Sequence, residues 1–189
     1  MNNKSIRNAR KIMVIRHAEK PIGPYKGITA KGRQSPYSLI VKGWQRAGAL
    51  ASLFINGTNS SLNGQLITPD YLYASPSRKE SRSKRSVETL TPLKNQLNLS
   101  IKKKFGREDY KEMANHAMKQ KGIVLISWQH QYIPLIANHI LGKKTTPQKW
   151  PSDRFDMIWL FELDSATGEY KFSQVPQNLL PGDRTTIFS

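Results

Sequence analysis

Four residues have side chains suited to binding and transferring a phosphoryl group: Arg16, His17, Arg85 and His130. Arginine presents a planar fork of N–H donors that binds phosphate oxygens in pairs, and it does not lose its charge. Two arginines would neutralise charge on the oxygens of a transferring phosphoryl group. A neutral imidazole is a nucleophile at physiological pH and can form a covalent phosphohistidine.

We interpret His17 as the nucleophile and His130 as a hydrogen-bond donor to a phosphate oxygen. His17 would have to donate its second ring N–H to a backbone carbonyl, which fixes the tautomer. Water would then attack the phosphohistidine and regenerate the enzyme. His116 and His139 fall within helical patterns, and we interpret both as structural or exposed. Because no histidine pair has the HExxH spacing and the chain has no cysteine, we expect no metal and no cofactor.

Short apolar runs and helical spacings predict the elements that carry these residues. Six segments have strand patterns: Lys11–Ile15, Asp70–Ala74, Leu99–Phe105, Ile123–Trp128, Asp156–Leu163 and Glu169–Val175. Four segments between them have helical patterns: one with Trp44, Ala47, Leu50, Ala51 and Phe54 that stops at Asn56-Gly57, one from about Ser86, one over Arg107–Lys121 and one from Ile133 to Gly142. Pro92 predicts a kink or an early end of the second helix.

The order of these elements predicts an α/β three-layer sandwich. A mostly parallel mixed sheet would be flanked by helices, with an antiparallel edge hairpin near the C-terminus. In such sheets ligands bind outside the carboxyl ends of the strands. Arg16, His17 and His130 follow strand ends directly, and Arg85 follows a third strand after a basic segment. We therefore expect all four side chains at one edge of the sheet, in a pocket for a dianion.

The chain is strongly basic, with 30 Lys and Arg against 13 Asp and Glu and a formal net charge of +17. Such a surface attracts polyanions, or it is a solvated surface without a specific partner. The lack of cysteine excludes thiol nucleophiles and fits a cytoplasmic protein. No apolar run approaches the ~20 residues of a membrane span, and the N-terminus does not have the pattern of a secretory signal. No GxxxxGK[ST] motif is present, which excludes a P-loop nucleotidase.

Two further features have several interpretations. The basic segment Arg78–Arg85 is, in order of preference, a flexible surface loop, a lid that gathers anionic substrate or a nucleic-acid patch. The aromatic residues Trp150, Phe155 and Trp159 are typical of a core or a pocket wall rather than of a base-stacking platform.

The segment KIMVIRHAEKP resembles the signature of the histidine phosphatase superfamily, also called the phosphoglycerate-mutase-like family, in which a strand runs into Arg-His-Gly/Ala-Glu. GWQRAGALA resembles the first helix of that family, and VLISWQH resembles its strand leading to the second histidine. Tyr73–Pro76 followed by Arg85–Thr89 resembles its Ser-Pro and its Arg-Ala-x-Gln/Glu-Thr helix start. The resemblance covers Lys11 to about Leu141, and it implies a single histidine-phosphatase-like domain over residues 1–189.

The resemblance implies that His17 is the phosphoacceptor, that Arg16 and Arg85 clamp the phosphate and that His130 is the second pocket histidine. The chain nevertheless departs from the family pattern in three places, which concern the clamp arginine, the residue after His130 and the general acid.

About ten residues separate Ser75 from Arg85, where the family has a short gap, so Arg78 and Arg82 compete for the clamp role. We prefer Arg85, because the Glu-Thr-Leu helix start follows it as in the family. Gln131 stands where the acid phosphatase branch has Asp, so the chain does not resemble that branch. The general acid is not identified, and Glu108 and Asp109 are candidates by position only.

We predict a metal-independent phosphatase that hydrolyses phosphomonoesters through a phosphohistidine on His17. Its partner would be a small phosphorylated substrate or a phosphoprotein, and we expect no membrane association. Two alternatives stay open: a phosphoglycerate-type mutase, which shares the first half-reaction, and a non-catalytic basic protein that binds phosphate-bearing ligands or nucleic acid. Nucleic-acid binding that falls steeply with salt and survives mutation of His17 would favour the last alternative.

Overall fold

The computed structural model describes residues 7–55 and 65–189, and the predicted helix stop at Asn56-Gly57 lies outside them. Within these ranges the chain forms six strands and four helices. They are β1 (Ala9–Arg16), α1 (Val41–Ile55), β2 (Tyr71–Ala74), α2 (Arg85–Leu97), β3 (Ile101–Lys102), α3 (Tyr110–Met118), β4 (Gly122–Trp128), α4 (Ile133–Leu141), β5 (Met157–Asp164) and β6 (Glu169–Pro176). In the described ranges, none of the helices combines the length and the apolar character that a membrane crossing needs.

The strands form one mixed sheet in the order β3-β2-β4-β1-β5-β6. The first four strands of the chain run parallel, whereas β5 is antiparallel to β1 and forms a hairpin with β6. This confirms the predicted mostly parallel sheet with an antiparallel hairpin at its edge. Arg16 lies opposite Trp128, and Ala74 lies opposite Ser127. The strands β1, β2 and β4 therefore end together at one edge.

Helices cover both faces of the sheet, so the predicted three-layer sandwich is confirmed. Along β1, Ile12 and Val14 pack in the cluster that holds the buried residues of α3 and α4. Met13 and Ile15 point to the other face and pack with the buried residues of α1 and α2. The period of two along a strand divides the apolar run between two cores, as expected for a strand that is buried on both sides.

Several elements differ in length from the sequence patterns. The helix predicted over Arg107–Lys121 is only Tyr110–Met118, and β1 is longer than the predicted Lys11–Ile15. Of the two consequences expected from Pro92, the early end of α2 does not occur, since the helix continues to Leu97. Proline removes one helical hydrogen bond, while Leu90 and Leu93 bury their side chains in the core, and this burial holds the helix together. The third strand is only Ile101–Lys102, because it pairs with β2 alone and the residues beyond it are exposed lysines.

Candidate functional site

The pairing of β1 with β4 delivers the candidate residues to one place. The backbone N–H of His17 donates to the carbonyl of Trp128 at 3.0 Å, so the ladder extends one residue past the end of β1. Gln129 and His130 leave β4 immediately beyond that bond. Arg16, His17 and His130 therefore lie side by side at the carboxyl edge of the sheet, as the order of elements predicted.

The His17 ring is buried, and its tautomer follows from its hydrogen bond. Its Nδ1 lies 2.8 Å from the carbonyl oxygen of Ala18, which can only accept, so Nδ1 carries the proton. Burial lowers the pKa of His17 well below 6.5, against the hydrogen bond to Ala18 and with help from the charges of Arg16 and Arg85. The ring is therefore neutral at physiological pH, and Nε2 carries the free lone pair. The expected carbonyl partner of the ring is present.

The start of α2 is tied to the backbone beside His17. The N–H of Ala18 donates to the Thr89 hydroxyl at 2.9 Å, and that hydroxyl donates to the carbonyl of Arg85 at 2.7 Å. Because Thr89 lies one helical turn after Arg85, a single side chain connects the loop after β1 with the first turn of the helix. This contact places Arg85 next to His17.

Arg16 is fully buried, yet most of its hydrogen-bonding capacity is unused. Its Nη1 donates to three carbonyl oxygens of segment 151–154 at 2.8 to 3.3 Å. Its guanidinium carbon lies 3.8 Å from the centre of the Phe155 ring. Its Nε and Nη2 are buried and have no hydrogen-bond partner among the described residues. Burial lowers the pKa of Arg16 to about 10, although the charges of Asp153 and Glu19 oppose this shift.

Arg85 and His130 show the same pattern of unused donors. The Nη1 of Arg85 donates to the carbonyl of Pro36 at 3.3 Å, while its buried Nε has no partner in the described part of the chain. The buried Nδ1 of His130 likewise has none within residues 7–55 and 65–189. Burial lowers the pKa of His130 to about 4, helped by the charges of Arg16 and Lys20.

These donors have the chemistry that an anionic ligand would satisfy. A buried N–H without a partner costs about 1–3 kcal/mol, and more for a charged group, unless a ligand satisfies it. Nε and Nη2 of Arg16 and Nε of Arg85 are such groups, and Nδ1 of His130 joins them in the tautomer that protonates it. The charges of all three side chains act on the pKa of His17. A tetrahedral dianion would accept from all of them and would face a nucleophilic nitrogen. In the described ranges, no group of three or more His, Cys, Asp or Glu side chains is placed to hold a metal ion.

Comparison with solved structures identifies the architecture. A phosphoserine phosphatase from Entamoeba histolytica with 3-phosphoglyceric acid is similar over 90% of this chain and 99% of its own, at 14% identity and a TM-score of 0.54. A putative alpha-ribazole-5'-P phosphatase from Escherichia coli is similar over 89% and 97%, at 12% identity and a TM-score of 0.55. A phosphoglycerate mutase from Plasmodium falciparum is similar over 94% and 98%, at 13% identity and a TM-score of 0.53.

The chain has the histidine phosphatase fold. The recognition made from four short motifs is therefore confirmed at the level of the fold. No protein-family model matches the sequence, and comparison with curated proteins found no similar sequence. The identities of 12 to 14% show the fold alone, so the roles of individual residues depend on their geometry in this chain.

Three arginines, Arg78, Arg82 and Arg85, are candidates for the phosphate clamp, and their contacts distinguish them. Arg78 donates through Nη2 to the carbonyl of Lys104 and is exposed. Arg82 is exposed and lies with its guanidinium carbon 5.8 Å from the centre of the Tyr37 ring. Only Arg85, of the three, acts by its charge on the pKa values of Arg16 and His17. These contacts favour Arg85 as the clamp.

The two candidates for a proton donor are occupied elsewhere. The Glu108 side chain is 68% exposed and pairs with Arg107 at 3.2 Å. The Asp109 carboxylate accepts from the N–H of Gly106 at 2.7 Å, at the start of α3. Both line a surface hollow that also includes Arg78. Their role as general acid remains a prediction, and none of these contacts supports it.

The remaining histidines and two of the three aromatic residues have structural contacts, whereas Phe155 lies beside the site. His116 lies 2.6 Å from the Tyr73 hydroxyl, and His139 lies 2.8 Å from an amide oxygen of α3, so both have structural partners. Trp150 and Trp159 are buried in the core with ring centres 5.2 Å apart. Phe155 forms the pocket wall, since its ring lies against Arg16 and has its centre 6.3 Å from that of His17.

Sequence reasoning missed three contributors to this site. Lys20 is partly buried, and burial together with the charges of Arg16 and Arg85 lowers its pKa, so it belongs to the same cluster. Gln129 donates to the Ser75 hydroxyl at 2.8 Å and connects the ends of β4 and β2. Thr89, as described above, connects the loop to α2. Each of the three lies within one of the quoted motifs, and that position was the available signal.

Proposed function

We propose that the protein is a metal-independent phosphatase that hydrolyses phosphomonoesters through a phosphohistidine on His17. The observation that carries the proposal is the set of buried, unpartnered donors around a neutral imidazole: Nε and Nη2 of Arg16, Nε of Arg85 and Nδ1 of His130. The likeness of the fold to two phosphatases supports the same reaction class.

The proposed first step uses this arrangement directly. The Nε2 lone pair of His17 attacks phosphorus, the bond from phosphorus to the ester oxygen breaks, and the electron pair leaves with that oxygen. Arg16 and Arg85 hold the equatorial oxygens and offset their charge. His130 donates a hydrogen bond to one of these oxygens. The proton on Nδ1 of His17 stays in its bond to Ala18, which stabilises the positive charge on the phosphorylated ring.

In the proposed second step water attacks phosphorus, the P–N bond breaks, and its electron pair returns to Nε2. Inorganic phosphate leaves, and His17 is neutral again. The substrate is a small phosphorylated compound or a phosphoprotein. Two of the similar structures were solved with such small compounds, phosphoserine and 3-phosphoglyceric acid, which supports the first class.

The test is hydrolysis of an aryl phosphate, with EDTA present, by the wild type and by His17→Ala. We expect activity in the wild type and a loss on the order of 10³-fold or more in the variant, because the nucleophile is removed. His139→Ala is the matched control, since that histidine bonds only within the helical layer, and it should retain activity. Full activity of His17→Ala would contradict the proposal. Acid-sensitive labelling of His17 by a labelled substrate would support it.

The likeness to a phosphoglycerate mutase gives a second candidate function. A mutase performs the same first step and then returns the phosphoryl group to another hydroxyl of the substrate. Incubation with 3-phosphoglycerate, followed by phosphorus NMR, separates the two. Isomerised phosphoglycerate would support the mutase, and inorganic phosphate would support the phosphatase.

A further inference from the structure

The guanidinium group of Arg16 has one end bound to the protein and one edge left over. Its Nη1 donates to the carbonyl oxygens of Pro151, Ser152 and Arg154, at 3.3, 2.8 and 2.9 Å. Its Nε and Nη2, whose N–H bonds lie side by side on the planar fork, are buried and have no partner among the described residues. The three carbonyls therefore decide which edge of Arg16 is left for a phosphate.

The ring of Phe155 restricts the same guanidinium group from its face. The guanidinium carbon of Arg16 lies 3.8 Å from the ring centre, which is the stacked arrangement that arginine adopts on aromatic rings. The carbonyls of segment 151–154 thus fix the edge of the fork, and Phe155 fixes its plane. The orientation of Arg16 consequently depends on how segment 151–155 is itself held in place.

A buried ion pair holds this segment from below. Arg154 and Asp156 are both buried, and Nε of Arg154 donates to Oδ1 of Asp156 at 2.6 Å. The backbone carbonyl of Arg154 accepts from Arg16, and it also accepts from the indole N–H of Trp150 at 2.9 Å. The residue that presents a carbonyl to Arg16 is therefore the same residue whose side chain is bound by Asp156.

The C-terminal segment 184–188 completes the support. The N–H of Arg184 donates to Oδ2 of Asp156 at 2.8 Å, so each carboxylate oxygen has a donor. Nη2 of Arg154 donates to the carbonyls of Arg184 and Thr186 at 3.2 and 2.9 Å. Its guanidinium carbon lies 4.9 Å from the centre of the Phe188 ring. Both groups that face Asp156 are N–H donors, so an ionised carboxylate, which only accepts, is the group that fits there.

We propose that Asp156 and Arg154 are positioning residues for Arg16, and that segment 184–188 acts through them. The inference rests on the proposed function, since that function assigns Arg16 to the phosphate. Asp156 and Arg154 act through Arg16 rather than on the phosphate itself. They hold segment 151–155 so that the Nε and Nη2 edge of Arg16 is oriented before the phosphate binds. Donors that are oriented in advance need no reorganisation when charge develops on the phosphoryl oxygens.

Asp156→Asn tests this proposal. The amide presents an NH₂ group to one of two donors, Nε of Arg154 or the N–H of Arg184, and so loosens segment 151–155. We expect kcat/KM for an aryl phosphate and the affinity for inorganic phosphate to fall by about 10-fold to 10²-fold, because a displacement of about 1 Å can have such an effect. Calorimetric titration with inorganic phosphate needs no turnover, so failure of this inference is distinct from failure of the proposed function, which His17→Ala tests.

Coupling to Arg16 separates a positioning role from a purely structural one. In the Arg16→Met protein, Asp156→Asn should change kcat/KM by no more than about twofold, because the side chain through which it acts is already absent. Equal fold losses with and without Arg16 would overturn the proposal. An unchanged phosphate affinity in Asp156→Asn would overturn it as well.

Glu162→Gln is the matched control, because it makes the same change from acid to amide on the same pair of strands. Glu162 of β5 binds the buried Lys11 of β1 at 2.9 Å, toward the ends of these strands that lie away from Arg16. The phosphate affinity of Glu162→Gln should stay within about twofold of the wild type. A loss as large as that in Asp156→Asn would overturn the proposal, because any weakened ion pair would then have the same effect.

Arg154→Lys provides a second variant should Asp156→Asn fail to fold. Lysine keeps a positive charge near Asp156 but lacks the planar fork that reaches the carboxylate and the C-terminal carbonyls together. We expect phosphate affinity to fall in Arg154→Lys, with the same dependence on Arg16. An affinity equal to that of the wild type would overturn the proposal.

Discussion

Two buried arginines on neighbouring elements have opposite environments. Arg46 of α1 and Arg16 at the end of β1 are 2% and 0% exposed. Arg46 donates to Glu19, to Asp183 and to the amide oxygen of Gln177, so all three of its nitrogens are bonded. Arg16 donates only to backbone carbonyls, and two of its nitrogens have no partner in the described ranges.

The two environments change the guanidinium groups in opposite directions. Burial lowers the pKa of both, but at Arg46 the hydrogen bonds from its side chain to Asp183 and Glu19 outweigh burial, and the pKa is raised. At Arg16 burial prevails, and the pKa falls to about 10. A buried charge with carboxylate partners holds a structure together, whereas a buried charge without them is stabilised by an anionic ligand. This difference separates the structural arginine from the proposed phosphate clamp.

Arg46→Met should have the largest effect on stability. The substitution leaves the carboxylates of Glu19 and Asp183 buried without their partner, which typically costs 3–5 kcal/mol. Urea titration should show a free energy of unfolding lower than that of the wild type by about that amount. Arg184→Met is the matched control, because its pair with Asp153 is exposed and such pairs contribute about 0–1 kcal/mol. Equal losses of unfolding free energy in Arg46→Met and Arg184→Met would contradict the structural role assigned to Arg46.

Arg16→Met should instead act on the site. Loss of a charged donor to the transferring phosphoryl group should reduce kcat/KM for an aryl phosphate by about 10²–10³-fold. Inorganic phosphate should raise the unfolding temperature of the wild type, with about 2.7 kcal/mol of stabilisation at a concentration of 100 times Kd, and should protect Arg16→Met little. No carboxylate loses a partner here, so the unfolding free energy should fall less than in Arg46→Met. Undiminished phosphate protection in Arg16→Met would contradict the assignment.

The two regions should also respond to different ranges of pH. The pKa of His130 is about 4 in the folded protein and near 6.5 in the unfolded chain, so the unfolded chain binds more protons between these values. The contribution of His130 to the free energy of unfolding is therefore fully present above pH 6.5 and is lost as the pH falls toward 4. His17 contributes in the same direction. The folded pKa of Asp183 is about 2, because its bonds from Arg46 and two backbone N–H groups outweigh burial, so its contribution is lost only below 3.8.

His130→Gln tests the upper range of pH. Thermal unfolding at pH 7 and pH 5 should show a smaller loss of stability on acidification in the variant than in the wild type. The remaining histidines are common to both proteins and cancel in the comparison. The same loss in both would show that His130 titrates at an ordinary pKa.

The strands and their common edge could be predicted from local pattern. The run Ile123–Trp128 is apolar throughout and forms the buried part of β4. The run before Arg16 is equally apolar, and parallel pairing aligns the ends of the two strands. The extent of α2 could not be predicted. The cost of a proline within a helix can be read from the local sequence, whereas the burial of Leu93 depends on contacts with distant parts of the chain.

The sequence determined by itself which residues stand at the strand ends and that they suit phosphate chemistry, because hydrophobic period and residue type are local properties. Only the tertiary structure decided which charges are compensated. Arg46 meets Asp183 across 137 positions of the chain, and Arg16 meets backbone carbonyls of segment 151–154 but none of the carboxylates within the described residues. Spacing distinguished Arg85 from Arg78 and Arg82 only by analogy, whereas the contact through Thr89 fixes it beside His17. The pairing of a charge depends on which distant segments fold against it.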